Sequence, residues 1–369
     1  MNLIKINRDV LLKPLQAVSG IIERRHTLPI LSNVLLLTST DRLALVATDI
    51  EIEITASTPN TDLLETQGIT IGARKFLDIL RALPDASEVS LSLLDKRLHI
   101  KSAKSRFNLQ TLPAEDFPRL ADAQDESTKF SLPQNLLNNL LRLVQYAMAQ
   151  QDIRYYLNGL LMIVEDDHLR LVATDGHRLA FAAKQLPASN LDRQEVILPR
   201  KTVIELTKLL SDTADPVTIT LSATQARFKF DDIQLVSKLV DGKFPDYTRV
   251  VPQNLPRTLQ LPRIQLLQSL QRAAILATDK FRGVRCLLSD STLKILCTNT
   301  EQEEAQEEIS VDYKGESLDI GFNVGYLLDV LNNVDVPAID LALGDSNSSA
   351  LITIPGRDDF KYVVMPMRI

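Results

Sequence analysis

Tryptophan is absent from the chain, cysteine occurs twice and histidine four times. Cys286 and Cys297 are too few for a disulfide framework, and their spacing fits no metal-ligand pattern. That usage favours a reducing, cytoplasmic setting. His26, His99, His168 and His177 stand singly, without an H-E-x-x-H or C-x-x-C, so no metal or other cofactor is implied. A phosphate-cradling G-x-x-x-x-G-K-[ST], a dinucleotide G-x-G-x-x-G and a nucleophile elbow G-x-S-x-G are all missing, which argues against the common enzyme classes. No apolar run approaches the ~18 residues of a membrane span, and the first residues lack the apolar core of a secretion signal. Positive charge is also short. The net charge of −6 argues against a protein that grips nucleic acid by bulk charge.

What the chain has is repetition. LALVATDIEIEI, LRLVATDGHRLAFA and LKILCTNTEQEEA place Asp49, Asp175 and Asn299 at intervals of 126 and 124 residues. ARKFLDIL, PRKTVIEL and NVGYLLDV, starting at Ala73, Pro199 and Asn323, keep the same intervals. The openings INRDVLL, LPQNLLN and LPRIQLL set Ile6, Leu132 and Leu261 apart by 126 and 129. TLPAEDFP against KLVDGKFP sets Phe117 and Phe244 apart by 127. Such a period exceeds that of solenoid repeats and matches a whole domain. Three similar domains follow, 1–126, 127–255 and 256–369, joined through the polar or proline-containing ADAQDESTK and PQNLPRT.

Each repeat opens with a short strand (LIKI, KFSL, TLQL) that leads into a helix. In the first, Asn7 suits an N-cap, and Leu11, Leu15, Val18 and Ile22 recur at helical spacing. Alternating strands RLALVAT and EIEITAS follow. A second helix carries apolar Phe76, Leu77, Leu80 and Leu83, and EVSLSLLDKRLHIKS and RFNLQTLP close the unit. The pattern predicts an α+β fold of three similar domains, each with antiparallel sheets packed on two helices. Border strands with unpaired backbone groups could continue the sheets from domain to domain. A fixed turn per domain, about 60° for two chains of three, would then close a ring. Helices are expected over 8–25, 74–81, 134–154, 200–212, 263–282 and 322–333. In all but the last, Lys and Arg outnumber Asp and Glu. Helices sharing one side would make that side attractive to phosphates without any reading of sequence. Ordinary solvated helix faces would give the same count.

Asp175-Gly176-His177 offers the residue types of an acid–base pair, but Asp175 recurs as Asp49 and Asn299, which marks a turn former rather than a catalyst. Gly176-His177-Arg178 belongs to the middle repeat alone, with Ile50-Glu51-Ile52 and Thr300-Glu301-Gln302 in its place elsewhere. It reads as a local loop solution or as a surface binding site. The ending KYVVMPMRI is apolar to its last residue, where chain ends are usually polar. Pro366 should end a strand, and Met365 and Met367 suit an adaptable surface. The segment fits both a last edge strand and the wall of a pocket. Tyr155 and Tyr156, beside Arg154, suit contact with DNA or a core position at a domain edge.

At TLPILSNVLL, QDIRYYLNGLL, VATDGHRLA, LVDGKFPDYTRVVP, KFRGVR, EQEEAQEE, GFNVGYLLDVLN and YVVMPMRI the chain closely resembles the family of beta subunits of bacterial DNA polymerase III, the sliding clamps. These pieces span all three repeats. The resemblance implies a non-catalytic processivity factor, a three-domain chain that dimerises head to tail into a six-domain ring around duplex DNA. It implies opening by a clamp loader, and docking of the DNA polymerase III catalytic subunit, other polymerases and repair proteins through linear motifs. By the same resemblance the docking pocket would comprise Leu157, Thr174, Gly176, His177, Arg178, Leu179, Pro245, Arg249, Val250, Ser349, Val363, Val364, Met365, Pro366, Met367 and Arg368. It would be an apolar groove rimmed by two or three cations. Arg25, Gln151, Arg154, Tyr155 and Tyr156 would face DNA. Phe107 and Leu109 would meet Ile275 and Leu276 of a second copy. Ser349 lies in the weakest-matching stretch. Ile369 stands where the family commonly has leucine, a change expected to matter little.

Overall fold

The computed structural model describes residues 2–23, 28–39, 41–59, 67–121, 128–187, 190–278 and 282–369. Arg25 and most of the expected linker ADAQDESTK lie outside the described residues.

The three repeats have one element order. The first runs β1 (Asn2–Asn7), α1 (Arg8–Val18), β2 (Asn33–Thr38), β3 (Arg42–Thr48), β4 (Ile52–Pro59), β5 (Gln67–Gly72), α2 (Ala73–Ala82), β6 (Glu88–Leu94), β7 (Arg97–Ser102) and β8 (Ser105–Pro113). The second runs β9 (Thr128–Pro133), α3 (Gln134–Val144), β10 (Gly159–Asp166), β11 (His168–Thr174), β12 (Arg178–Gln185), β13 (Leu191–Pro199), α4 (Arg200–Leu209), β14 (Pro216–Leu221), β15 (Gln225–Phe230) and β16 (Ile233–Lys238). The third runs β17 (Arg257–Pro262), α5 (Arg263–Ala273), β18 (Gly283–Ser289), β19 (Thr292–Thr298), β20 (Glu304–Ser310), β21 (Leu318–Asn323), α6 (Val324–Asn333), β22 (Ala338–Leu343), β23 (Ala350–Ile354) and β24 (Arg357–Val364).

The expected continuation of sheets across repeat borders is present. The first sheet has the order β1-β6-β7-β8-β5-β2-β3-β4-β16-β15-β14-β9. The second runs β13-β10-β11-β12-β24-β23-β22-β17, and the third β20-β19-β18-β21. All pairs are antiparallel. At each of the two splices the fourth strand of one repeat pairs with the eighth strand of the next. Ile52 faces Ser237 at the β4–β16 splice, and Arg178 faces Val364 at the β12–β24 splice. The middle repeat therefore lends half its strands to each neighbour. The chain accordingly divides into two compact units, Met1–Leu136 with Ile204–Leu239 and Leu137–Val203 with Val240–Ile369.

Local chemistry explains the recurring parts. Asn7 caps α1 by accepting from the Asp9 amide at 2.9 Å. Leu11, Leu15 and Val18 turn the buried face of α1 toward β3 and β4. The recurring turn former acts as an Asx turn. Asp49 Oδ1 accepts from the amides of Glu51 (2.9 Å) and Ile52 (2.8 Å), and Asp175 Oδ1 from those of His177 (2.9 Å) and Arg178 (3.1 Å). Asn299 Oδ1 accepts from Glu301 and Glu303, both at 3.0 Å, spanning one residue more.

Four helices end earlier than expected. α4 stops at Leu209, and α1 stops at Val18, α3 at Val144 and α5 at Ala273, these three each followed by a tight three-residue turn. Such turns keep a three-residue apolar spacing, so periodicity alone runs on past the helix end. The basic helix faces also need a correction. Arg8 and Arg263 are turned inward to cap the ends of the second helices. Arg8 Nε donates to the Leu80 carbonyl at 2.7 Å, and Arg263 Nη1 to the Leu331 carbonyl at 2.9 Å.

Candidate functional site

The β12–β24 splice builds a cavity. Leu179 and Val363, on paired strands, join Leu157, Val172 and Phe244 in one buried apolar cluster. Above it opens a cavity of about 230 Å³ lined by Arg154, Tyr156, Leu157, Thr174, Gly176, His177, Arg178, Leu179, Pro245, Tyr247, Val250, Val363 and Met365. The rung that closes the splice runs from the Met365 amide to the His177 carbonyl at 2.9 Å. Gly176 sits at φ +90. Ile50, its counterpart in the first repeat, holds φ 71 with a branched side chain, so the turn itself does not demand glycine. A Cβ at Gly176 would come 3.0 Å from Nη2 of Arg154, and that close approach is what the glycine permits.

The rim and one wall carry fixed charge. Arg154 donates to Asp152 from Nε at 3.0 Å and from Nη2 at 2.8 Å, and to the Asp175 carbonyl at 3.3 Å. The bonds from Arg154 hold the Asp152 carboxyl down at about 2. Arg178 is not a free rim cation. Its side chain is nearly buried, paired with Asp175 and Asp329, donating to the Tyr146 carbonyl at 2.6 Å and stacked 4.3 Å from the Tyr326 ring centre. It anchors the splice, with α6 supplying Asp329 and Tyr326.

The sequence-predicted pocket residues divide. Ten of them line the cavity: Leu157, Thr174, Gly176, His177, Arg178, Leu179, Pro245, Val250, Val363 and, from the tail, Met365. Val364 is buried behind it, opposite Arg178. Arg249 points to solvent in an ion pair with Asp246 at 2.9 Å. Ser349 precedes β23, whose Ala350 pairs with Val364. Pro366, Met367 and Arg368 continue as the tail. Of the residues expected to face DNA, Arg154 and Tyr156 line this cavity, and Gln151, Arg154 and Tyr155 are exposed. Sequence reasoning missed Tyr247, Tyr326 and Asp329. Tyr247 lies inside the quoted LVDGKFPDYTRVVP, and Tyr326 and Asp329 share a helix face at i, i+3.

The first splice has the same frame without the cavity floor. The Lys238 amide donates to the Glu51 carbonyl at 2.9 Å, as Met365 does to His177. At the position of Leu179 stands Glu53, 3% exposed. It accepts from Arg119 at 2.9 and 2.8 Å and from the Leu120 amide at 3.0 Å. An ion pair therefore fills the place of the apolar floor.

Two further edges stand out. Among the described residues β20 pairs with β19 alone, and residues 105–110 of β8 pair with β7 alone. Phe107 and Leu109 on β8 are half-buried, and Leu109 lines a concavity with Arg74, Lys75, Lys96 and Arg97. β20 carries Glu304, Glu307 and Glu308. Beside it Ile275 is 77% exposed, next to Leu276.

Among the described residues no helix is long and apolar enough to cross a membrane. The chain matches the N-terminal, central and C-terminal domains of the DNA polymerase III beta subunit over residues 1–121, 131–246 and 248–368. It is 47% identical to the beta sliding clamp of Pseudomonas putida over 364 residues, 99% of both chains. It is 46% identical to that of Escherichia coli K12, at the same coverage. The DnaN sliding clamp of Pseudomonas aeruginosa, solved bound to griselimycin, superposes at TM-score 0.96 with 45% identity over all of both chains. The DNA polymerase sliding clamp of Caulobacter crescentus does so at 0.92 with 38% identity, again over all of both chains.

Proposed function

The chain belongs to the DNA polymerase III beta subunit family and acts as a DNA sliding clamp, and from that premise we propose that two copies close head to tail into a ring whose segments are the repeats 1–126, 127–255 and 256–369. The observation that carries this reading is the recurring splice of fourth strand to eighth strand. Two such splices lie within the chain, and the remaining fourth strand, β20, and eighth strand, β8, are the ones left open. Their side chains are complementary, with glutamates on β20 and Arg74, Lys75, Lys96 and Arg97 beside β8. Ile275 and Leu276 then meet Phe107 and Leu109 of the second copy, removing from water an aliphatic side chain that is 77% exposed in one chain.

DNA inside the ring would be held by topology and weak phosphate contacts from residues such as Arg25 and Gln151, which permits sliding. The cavity at the β12–β24 splice would take a linear peptide with apolar anchors. The catalytic subunit of the polymerase, the clamp loader, other polymerases and repair proteins would all present such segments. The chain itself would perform no chemistry, since Asp175 is committed to its turn and to Arg178. A cytoplasmic location follows from the DNA it would encircle.

Light scattering at micromolar concentration tests closure first. A mass near twice 41.2 kDa is expected, and a stable monomer would remove the ring. Retention on circular DNA with loss from the ends of linear DNA tests the topological hold. Equal retention on both forms would contradict it.

A further inference from the structure

One wall of the cavity, Met365, lies just past β24 in a segment without regular secondary structure, and such segments are loose unless something ties them down. Here something does. Beyond the Met365 rung, the Met367 amide donates to the Gly321 carbonyl at 2.9 Å. Ile369 then lies against β18 and β21. On those strands Gly321 is paired with Arg285, two residues from Gly283, so the two glycines are diagonal neighbours on one face of the sheet. A Cβ on Gly321 would come 2.5 Å from the Met367 carbonyl oxygen and 2.7 Å from Cδ1 of Ile369. A Cβ on Gly283 would come 2.9 Å from the same Cδ1. Neither glycine has a positive φ, so the backbone does not require them there. What they supply is a notch the shape of an aliphatic side chain.

We infer that Gly283 and Gly321 form a seat for Ile369, and that this seat is a positioning device for docking: it holds Met365 in place as a cavity wall. The inference rests on the docking reading of the cavity and names a residue outside its lining. Ile369 remains 58% exposed, so its seating contributes little to overall stability. Its effect falls on the tail. An unseated tail must be ordered by the incoming peptide, and that ordering is subtracted from affinity. Leucine fits the notch about as well as isoleucine, whereas a missing or polar side chain does not.

The test uses the full chain and a fluorescent hexapeptide with leucine and phenylalanine anchors, followed by anisotropy and by stopped-flow dissociation. Deleting Ile369, Ile369→Asn and Gly321→Ala should each weaken binding about tenfold, chiefly through faster dissociation. Ile369→Leu should stay within about twofold of the parent. The mass in solution and the melting temperature should not change in the Ile369 variants, which separates seating from folding. If the parent binds the peptide and the Ile369 deletion binds it equally well, or if Ile369→Leu loses as much as the deletion, the seat is overturned. If the parent does not bind the peptide at all, the docking reading falls and the seat falls with it.

Discussion

At the scale of single residues, one exchange separates an open splice from a closed one. Leu179 makes an apolar floor, and Glu53 in the same frame makes an ion pair with Arg119. Glu53 is buried while Arg119 is half exposed, so removing the arginine strands a desolvated carboxylate. Arg119→Ala should cost about 2 kcal/mol in urea unfolding, a discounted form of the larger cost of breaking a fully buried pair. Loss of less than a few tenths of a kcal/mol would show that Leu120 and solvent satisfy Glu53 alone. The cysteines allow a second prediction. Burial, helped by the Asp319 charge, pushes the Cys286 thiol up to about 12, and burial raises Cys297 as well. The reactive thiolate is therefore scarce at pH 8. Iodoacetamide should leave both unmodified in the native protein and label both in urea. Rapid native labelling would mean that β18 and β19 open locally. Gly176-His177-Arg178 was legible at this scale because it breaks the repeat pattern, and the other lining residues came from the family resemblance. Asp329 was not, because its meaning depends on strand register that brings it to Arg178 across 151 positions.

At the scale of elements, the strands were legible and the helix ends were not. RLALVAT is β3 as read, its burial alternating over Arg42–Leu45 before a fully buried end. The overrun of α1, α3 and α5 came from tight turns that copy the helical spacing. Which border strand pairs with which was not legible locally, since the same backbone groups are offered by every strand and the side chains that bias the choice lie on separate segments. Two predictions belong here. Ile275→Ala with Leu276→Ala should give monomers by light scattering, because truncating buried aliphatic anchors at an interface centre usually costs more than about 2 kcal/mol. A variant that stays dimeric would refute the proposed contact. Deleting residues 363–369 should abolish peptide docking and leave the dimer intact. A monomeric product would place the tail in the wrong interface.

At the scale of the whole molecule, the floor position is apolar Leu179 at the β12–β24 splice and the Glu53–Arg119 pair at the first, and the proposed third splice would need a second copy. Titration of the peptide should therefore saturate at one per chain. Saturation at two would mean that the Glu53–Arg119 pair yields to a ligand. The splices also differ in something no contact distance records. Those at β4–β16 and β12–β24 join parts of one polypeptide, so the chain itself keeps each edge near its partner at an effective concentration on the order of millimolar. In the proposed ring the edges of β8 and β20 have no such tether and would meet at the bulk concentration of the protein. At micromolar protein that difference is roughly a thousandfold, about 4 kcal/mol for splices of otherwise equal strength. Dilution alone would then select where the circle parts: at the untethered seam, with every covalently joined sheet still whole.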